Sequence, residues 1–259
     1  MRVTLLAALC LAAAAWRKRT FATRWEVSAT AGLLSMASGI LLSTTESLDK
    51  WLQAIFGIAH LDDYAGNICY LCGGLCFICH ALERLAPTNV QRQIIKLWLE
   101  GPLTLVIALM FSCLVMGQGC DDRLLLTHSP GPFDWLDAYA LCWHIGMAYL
   151  FGFCGWLMYQ LRTEKRNYAL WMYIGTSVSV IIGCILRASA SIFDSDTLDH
   201  IAYAFGITAT ILMCAAASWS WRQKMAPYRE LIRATRTRPT PNDLVRSVQT
   251  VLSFPRTRA

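Results

Sequence analysis

Seven runs of apolar residues, each near the length that crosses a bilayer as a helix, follow one another along this chain with little sequence between them. They are Val3 to Trp16, Val27 to Thr45, Ala65 to Leu82, Leu97 to Gly117, Leu136 to Gln160, Tyr168 to Leu186 with an extension toward Phe193, and Ile201 to Trp219. A hydrocarbon core about 30 Å thick calls for about 20 such residues, and a helix satisfies its own backbone there. Charged residues make up only 15% of the chain, against about 25% in a soluble domain. The expected fold class is therefore all-α: a polytopic membrane protein with seven transmembrane helices. The first run is short, and a cleaved signal peptide is the competing reading, because Ala-x-Ala sites lie around Ala12 to Ala15. Only Arg2 precedes that run, whereas Arg17, Lys18 and Arg19 follow it. That polarity is the reverse of an export signal and favours a first span.

Charge sets the orientation. With the N-terminus outside, the basic residues left outside are Arg2, Lys50, Arg123 and Arg187, and every other Lys and Arg falls inside. That bias predicts an N-out, C-in threading in the plasma membrane. Trp16, Trp25, Trp98, Trp171, Trp219 and Trp221 then fall at inner ends, and Trp51 and Trp135 at outer ones, where indole rings prefer to sit. Between the second and third spans, Trp51 to Leu61 is apolar enough to lie along the outer surface as a short helix. Gly101-Pro102 is expected near a helix start, where proline costs least. Residues 1–221 form the membrane domain and 222–259 a basic cytoplasmic tail. In that tail Thr240-Pro241-Asn242-Asp243 reads as a helix start, and Leu244, Val245, Val248, Val251 and Leu252 follow as an apolar stripe. The tail is expected to meet anionic lipid or a cytoplasmic protein rather than nucleic acid.

The densest local pattern is CYLCGGLCFICH, Cys69 to His80. Cys69, Cys72, Cys76 and Cys79 share one face if the segment is helical. Cys76 to His80 also matches the c-type haem attachment pattern, and the two CxxC pairs suggest zinc. Yet a straight helix holds Cys69 and Cys79 about 15 Å apart, too far for one metal. His80 and His144 lie at different depths, which disfavours a bis-histidine haem. The preferred reading of the ladder is a seam of small side chains between packed helices, with no cofactor expected.

Ionisable groups inside a membrane carry a functional hypothesis by default. Arg187 is the foremost, with Asp137 and Glu46 expected as partners at similar depth. His144 is a further binding candidate, with a satisfied core residue the preferred reading. Glu26 and Glu100 sit at inner ends, where interfacial solvation is expected to suffice. No Walker motif, nucleophile elbow, HExxH or Gly-rich dinucleotide turn occurs, so no enzymatic chemistry is expected. A contact factor acting on protein or lipid is the first expectation, such as a sensor, a scaffold or a phage-exclusion component. A small-solute transporter or channel is the second, and a redox protein using the cysteine ladder the third.

Three stretches carry a family resemblance: WRKR after the first run, LDKWLQAIFGIAHLDDYAGN between the second and third spans, and MAPYRELIRA after the seventh. Together they resemble a family of actinobacterial and phage multi-pass membrane proteins labelled, at most, as transporters. The resemblance implies a multi-span architecture and assigns no catalytic residues.

Overall fold

Each apolar run becomes a helix, and the helices close on one another in a ring. The computed structural model describes residues 2–18, 20, 26–44, 46–118, 133–161, 168–193 and 195–236, and among these all regular structure is helical. In chain order the helices are α1 (Arg2–Trp16), α2 (Val27–Leu42), α3 (Glu46–Phe56), α4 (Leu61–Leu85), α5 (Thr88–Met116), α6 (Trp135–Gln160), α7 (Tyr168–Phe193) and α8 (Asp196–Arg236). Five of them, α4, α5, α6, α7 and Asp196–Ala226 of α8, are long and apolar enough to cross a membrane. The pair α2 and α3, bent by 82°, makes a sixth if taken as one span, and α1 is a shorter apolar helix. A membrane-embedded helical bundle is the architecture these lengths describe.

The ring runs α1, α2, α4, α6, α7, α8 and back to α1, each helix packed on the next. Helix α5 stands outside it against α6, with 22% of its apolar stretch buried against 56% for α4. Helix α4 is thus central and α5 presents most of its surface outward, including Leu97, Trp98, Leu105 and Met116. The first run belongs to the ring: Ala7, Cys10, Ala13 and Ala14 form its buried face. Cys10 Sγ lies 3.6 Å from Cys214 Sγ of α8, which closes the circle.

Small residues set the tightest contact, and they are glycines. A Cβ on Gly39 of α2 would stand 2.9 Å from the Gly66 carbonyl oxygen of α4, and one on Gly73 would meet Met36 at the same distance. Gly32 and Gly39 on one helix, and Gly66 and Gly73 on the other, repeat at the heptad spacing that keeps a seam facing its partner. The cysteine ladder is not this seam. Cys72 is exposed, and Cys69, Cys76 and Cys79 are only partly buried on the neighbouring face of α4. Deeper in the bundle, Asn67 Nδ2 donates to the Tyr139 hydroxyl at 2.7 Å, with both residues fully buried.

Local chemistry explains several helix ends. Asp134 and Asp137 form a reciprocal capping box at the start of α6: the Asp134 carboxylate accepts from the Leu136 and Asp137 backbone N–H groups at 2.9 Å, and Asp137 Oδ2 accepts from the Asp134 N–H. The surface helix occupies Glu46–Phe56 rather than beginning at Trp51, and α4 already starts at Leu61. Gly101-Pro102 lies inside α5, after a π-helical turn at Ile95–Glu100, and not at a helix start. Pro102 has no N–H to give the Trp98 carbonyl four residues back. The Tyr149 hydroxyl of α6 donates to that carbonyl instead.

Candidate functional site

The alternating helices bring two sets of polar groups to opposite ends of the ring. At one end the termini of α1, α2 and α4 meet the distal part of α8 around Glu26. Its Oε2 accepts from Arg17 Nη2 at 3.1 Å, and its Oε1 accepts from Arg84 Nη2 at 2.6 Å and from the Ser220 hydroxyl at 3.0 Å. Lys224 Nζ lies 4.0 Å from the same Oε1. Arg17 has no exposed surface. Its Nε donates to Thr30 Oγ1 at 3.1 Å, its Nη1 to the Ala217 carbonyl, and its carbon centre lies over the Trp221 ring. Glu26 itself adopts a left-handed backbone, φ 52°, which few non-glycine residues hold without tertiary support. Burial opposes ionisation of its carboxyl, but His80, Arg84, Arg17 and Lys224 outweigh that and hold it down to about 2.

Interfacial solvation is therefore not what accommodates Glu26; a buried ion network is. The sequence does carry a signal: Glu26 is the single acid close to Arg17, Lys18, Arg19 and Arg24. His80 lies one helical turn before Arg84, fully buried, with its ring 5.8 Å from that of Tyr173. Neither of its ring nitrogens has a hydrogen-bond partner among the described residues, and the Tyr173 hydroxyl has none either. No group of three His, Cys, Asp or Glu among the described residues is arranged to hold a metal ion.

At the opposite end Arg187 pairs with Asp199, whereas the expected partner Asp137 is not among its contacts. Asp199 stands in the first turn of α8, immediately across the connection from the last turns of α7, so the pair ties the two helices together. Asp137 is committed to the cap of α6. Glu46 opens α3, and its side chain lies outside the described residues. The tail residues Leu244, Val245, Val248, Val251 and Leu252 likewise lie outside the described residues.

In the half of the bundle that holds Arg187, the ring helices line a partly open cavity of about 300 Å³. All six ring helices contribute wall: Leu6 from α1, Met36 from α2, Tyr70 from α4, Trp143 and His144 from α6, Arg187 from α7 and Tyr203 from α8 are among the lining residues. Most of the wall is apolar, and among the described residues Arg187 is its one formally charged side chain. His144 is buried, and its Nδ1 donates to the Ala140 carbonyl. Trp143 Nε1–H is a buried donor with no partner among the described residues. The structure thus brings two expected site residues, Arg187 and His144, to one cavity. Sequence reading has no handle on the cavity itself, because its walls come from six separate helices. No family model matches the chain, and no curated protein or solved structure matches it.

Proposed function

We propose that this is a plasma-membrane protein that binds a small, mainly apolar solute inside its helix ring, in the manner of a transporter or channel. The observation that carries this reading is the 300 Å³ cavity walled by all six ring helices. That volume lies at the lower end of the range of small-molecule pockets. The opposite half of the ring holds the Glu26 ion network, so one half offers a chamber and the other a closure. The proposed threading has seven spans, with the N-terminus outside and the tail in the cytoplasm. In support, α1, α2 with α3, and the five long helices are all apolar, and the basic residues partition to one side. A contact factor acting through the basic tail is the second reading, and the polybasic composition of residues 222–259 favours it.

Cys184 supplies the test, because it lines the cavity and is a native thiol. The protein in lipid nanodiscs is treated with methyl methanethiosulfonate, and modification of the Cys184 peptide is followed by mass spectrometry. Saturating decanol is expected to slow that modification at least about fivefold by occupying the chamber, as ligand exclusion does at any preformed pocket. Unchanged modification with and without decanol contradicts the solute-binding reading.

A further inference from the structure

The cavity wall carries a chemical bias that the apolar lining alone does not explain. Arg187 stands on the wall, while its partner Asp199 does not. Arg187 thus reaches both the cavity and its counter-ion. A cation among apolar side chains needs an anion or strong acceptor, a part Asp199 fills and a ligand anion can take over. Trp143 on the adjacent helix α6 adds a buried N–H with no partner among the described residues. The Arg187 cation and the Trp143 N–H on a mostly apolar wall, which also carries the hydroxyls of Tyr70, Ser179 and Tyr203, suit a ligand with one anionic head and one apolar body. Met36, Ile40, Met147, Phe151 and Met213 supply the apolar surface, and the three methionines give it the adaptability of unbranched thioethers.

We infer that the cavity takes a single-chain amphiphilic anion, whose carboxylate binds Arg187 in exchange for Asp199 and whose chain lies against the methionines and Phe151. This inference rests on the solute-binding reading and names its substrate class. Asp199 is then a resident competitor: it holds Arg187 while the chamber is empty and releases it when the ligand arrives. Because Arg187 and Asp199 join α7 to α8, ligand entry also loosens that helix pair.

The probe is dodecanoate brominated at its terminal carbon, read by quenching of tryptophan fluorescence in zwitterionic nanodiscs. A Trp143→Phe variant identifies the quenched residue. Saturable quenching is expected in the wild type and is expected to weaken at least about tenfold in Arg187→Gln, the loss of one charge-assisted interaction. Asp199→Asn is expected to tighten binding, because it removes the competitor. A purely structural ion pair predicts the opposite, with Asp199→Asn weakening binding in step with Arg187→Gln, and that pattern overturns the inference. Equal affinity for terminally brominated dodecanol also overturns it, as does loss of quenching when phosphatidylglycerol is added to the disc, which assigns the site to a bilayer lipid. Should decanol still protect Cys184 in any of these cases, the solute-binding reading stands and only the anionic head is lost.

Discussion

Arg17 has no exposed surface at the end of a helix whose remaining buried face is alanine and cysteine. A guanidinium in that position is tolerated because each of its three nitrogens donates: to Thr30, to the Ala217 carbonyl, and to both the backbone and side-chain oxygens of Glu26. Removing Glu26 leaves that charge buried without its counter-ion, so Glu26→Gln is expected to cost about 3–5 kcal/mol in reversible unfolding from mixed micelles. Arg17→Met in the same chain should recover much of that loss, since an apolar replacement of both partners costs far less than breaking one. The pH dependence follows from the depressed carboxyl. Its contribution is complete above the ordinary value of 4.5 and is lost as pH falls toward about 2. The melting temperature of the wild type should therefore decline across that window, and Glu26→Gln should lack that component of the decline. An identical decline in both proteins would show that the network contributes nothing there. A linear reading places charges by their distance from the ends of spans, and so assigns Glu26 to interfacial water. It cannot register that three helix termini and the side of a fourth helix converge on one carboxylate. The same limit explains Arg187, recognised as an intramembrane charge but matched by depth to Asp137 and Glu46. Its partner Asp199 is on the next helix, across a short connection that brings the two side chains within reach.

Among the elements, α2 and α4 show where small residues matter. The CYLCGGLCFICH stretch draws attention to its cysteines, yet the glycines between and before them make the close approach. Periodicity puts Cys69, Cys72, Cys76 and Cys79 on a common face without saying whether that face meets a neighbour. The face that does is adjacent to it on the same helix. Gly39→Ala is expected to destabilise the bundle by about 1–3 kcal/mol through overpacking, because its Cβ would meet the Gly66 carbonyl at 2.9 Å. Gly101→Ala, with nothing near its Cβ, should instead gain about 0.5–1 kcal/mol of helix stability. Comparable destabilisation by both variants would contradict the seam. Helix α5 offers a second test. Tyr149→Phe removes the donor that replaces the missing N–H of Pro102, and should cost about 1 kcal/mol. In a Pro102→Ala background, where residue 102 can again donate to Trp98, the same change should cost little. Equal costs in both backgrounds would mean that the tyrosine and the proline are not coupled.

Across the whole molecule, the succession of helices was legible because each run is apolar along most of its length and is broken by charged turns. The ring was not. Which helices become neighbours depends on where the glycines, Asn67, Arg17 and Glu26 point in three dimensions, and a chamber walled by six helices leaves no contiguous pattern. In the proposed solute-binding protein the chamber lies in the half of the bundle that holds Arg187, and the Glu26 network closes the opposite end. The most direct test is side-selective modification of Cys184 by a charged, membrane-impermeant methanethiosulfonate in oriented proteoliposomes, read on the Cys184 peptide. Modification is expected only from the side bearing Arg187, and from both sides once Glu26→Gln opens the far end. Modification of the wild type from the Glu26 side, or from neither side, would contradict it.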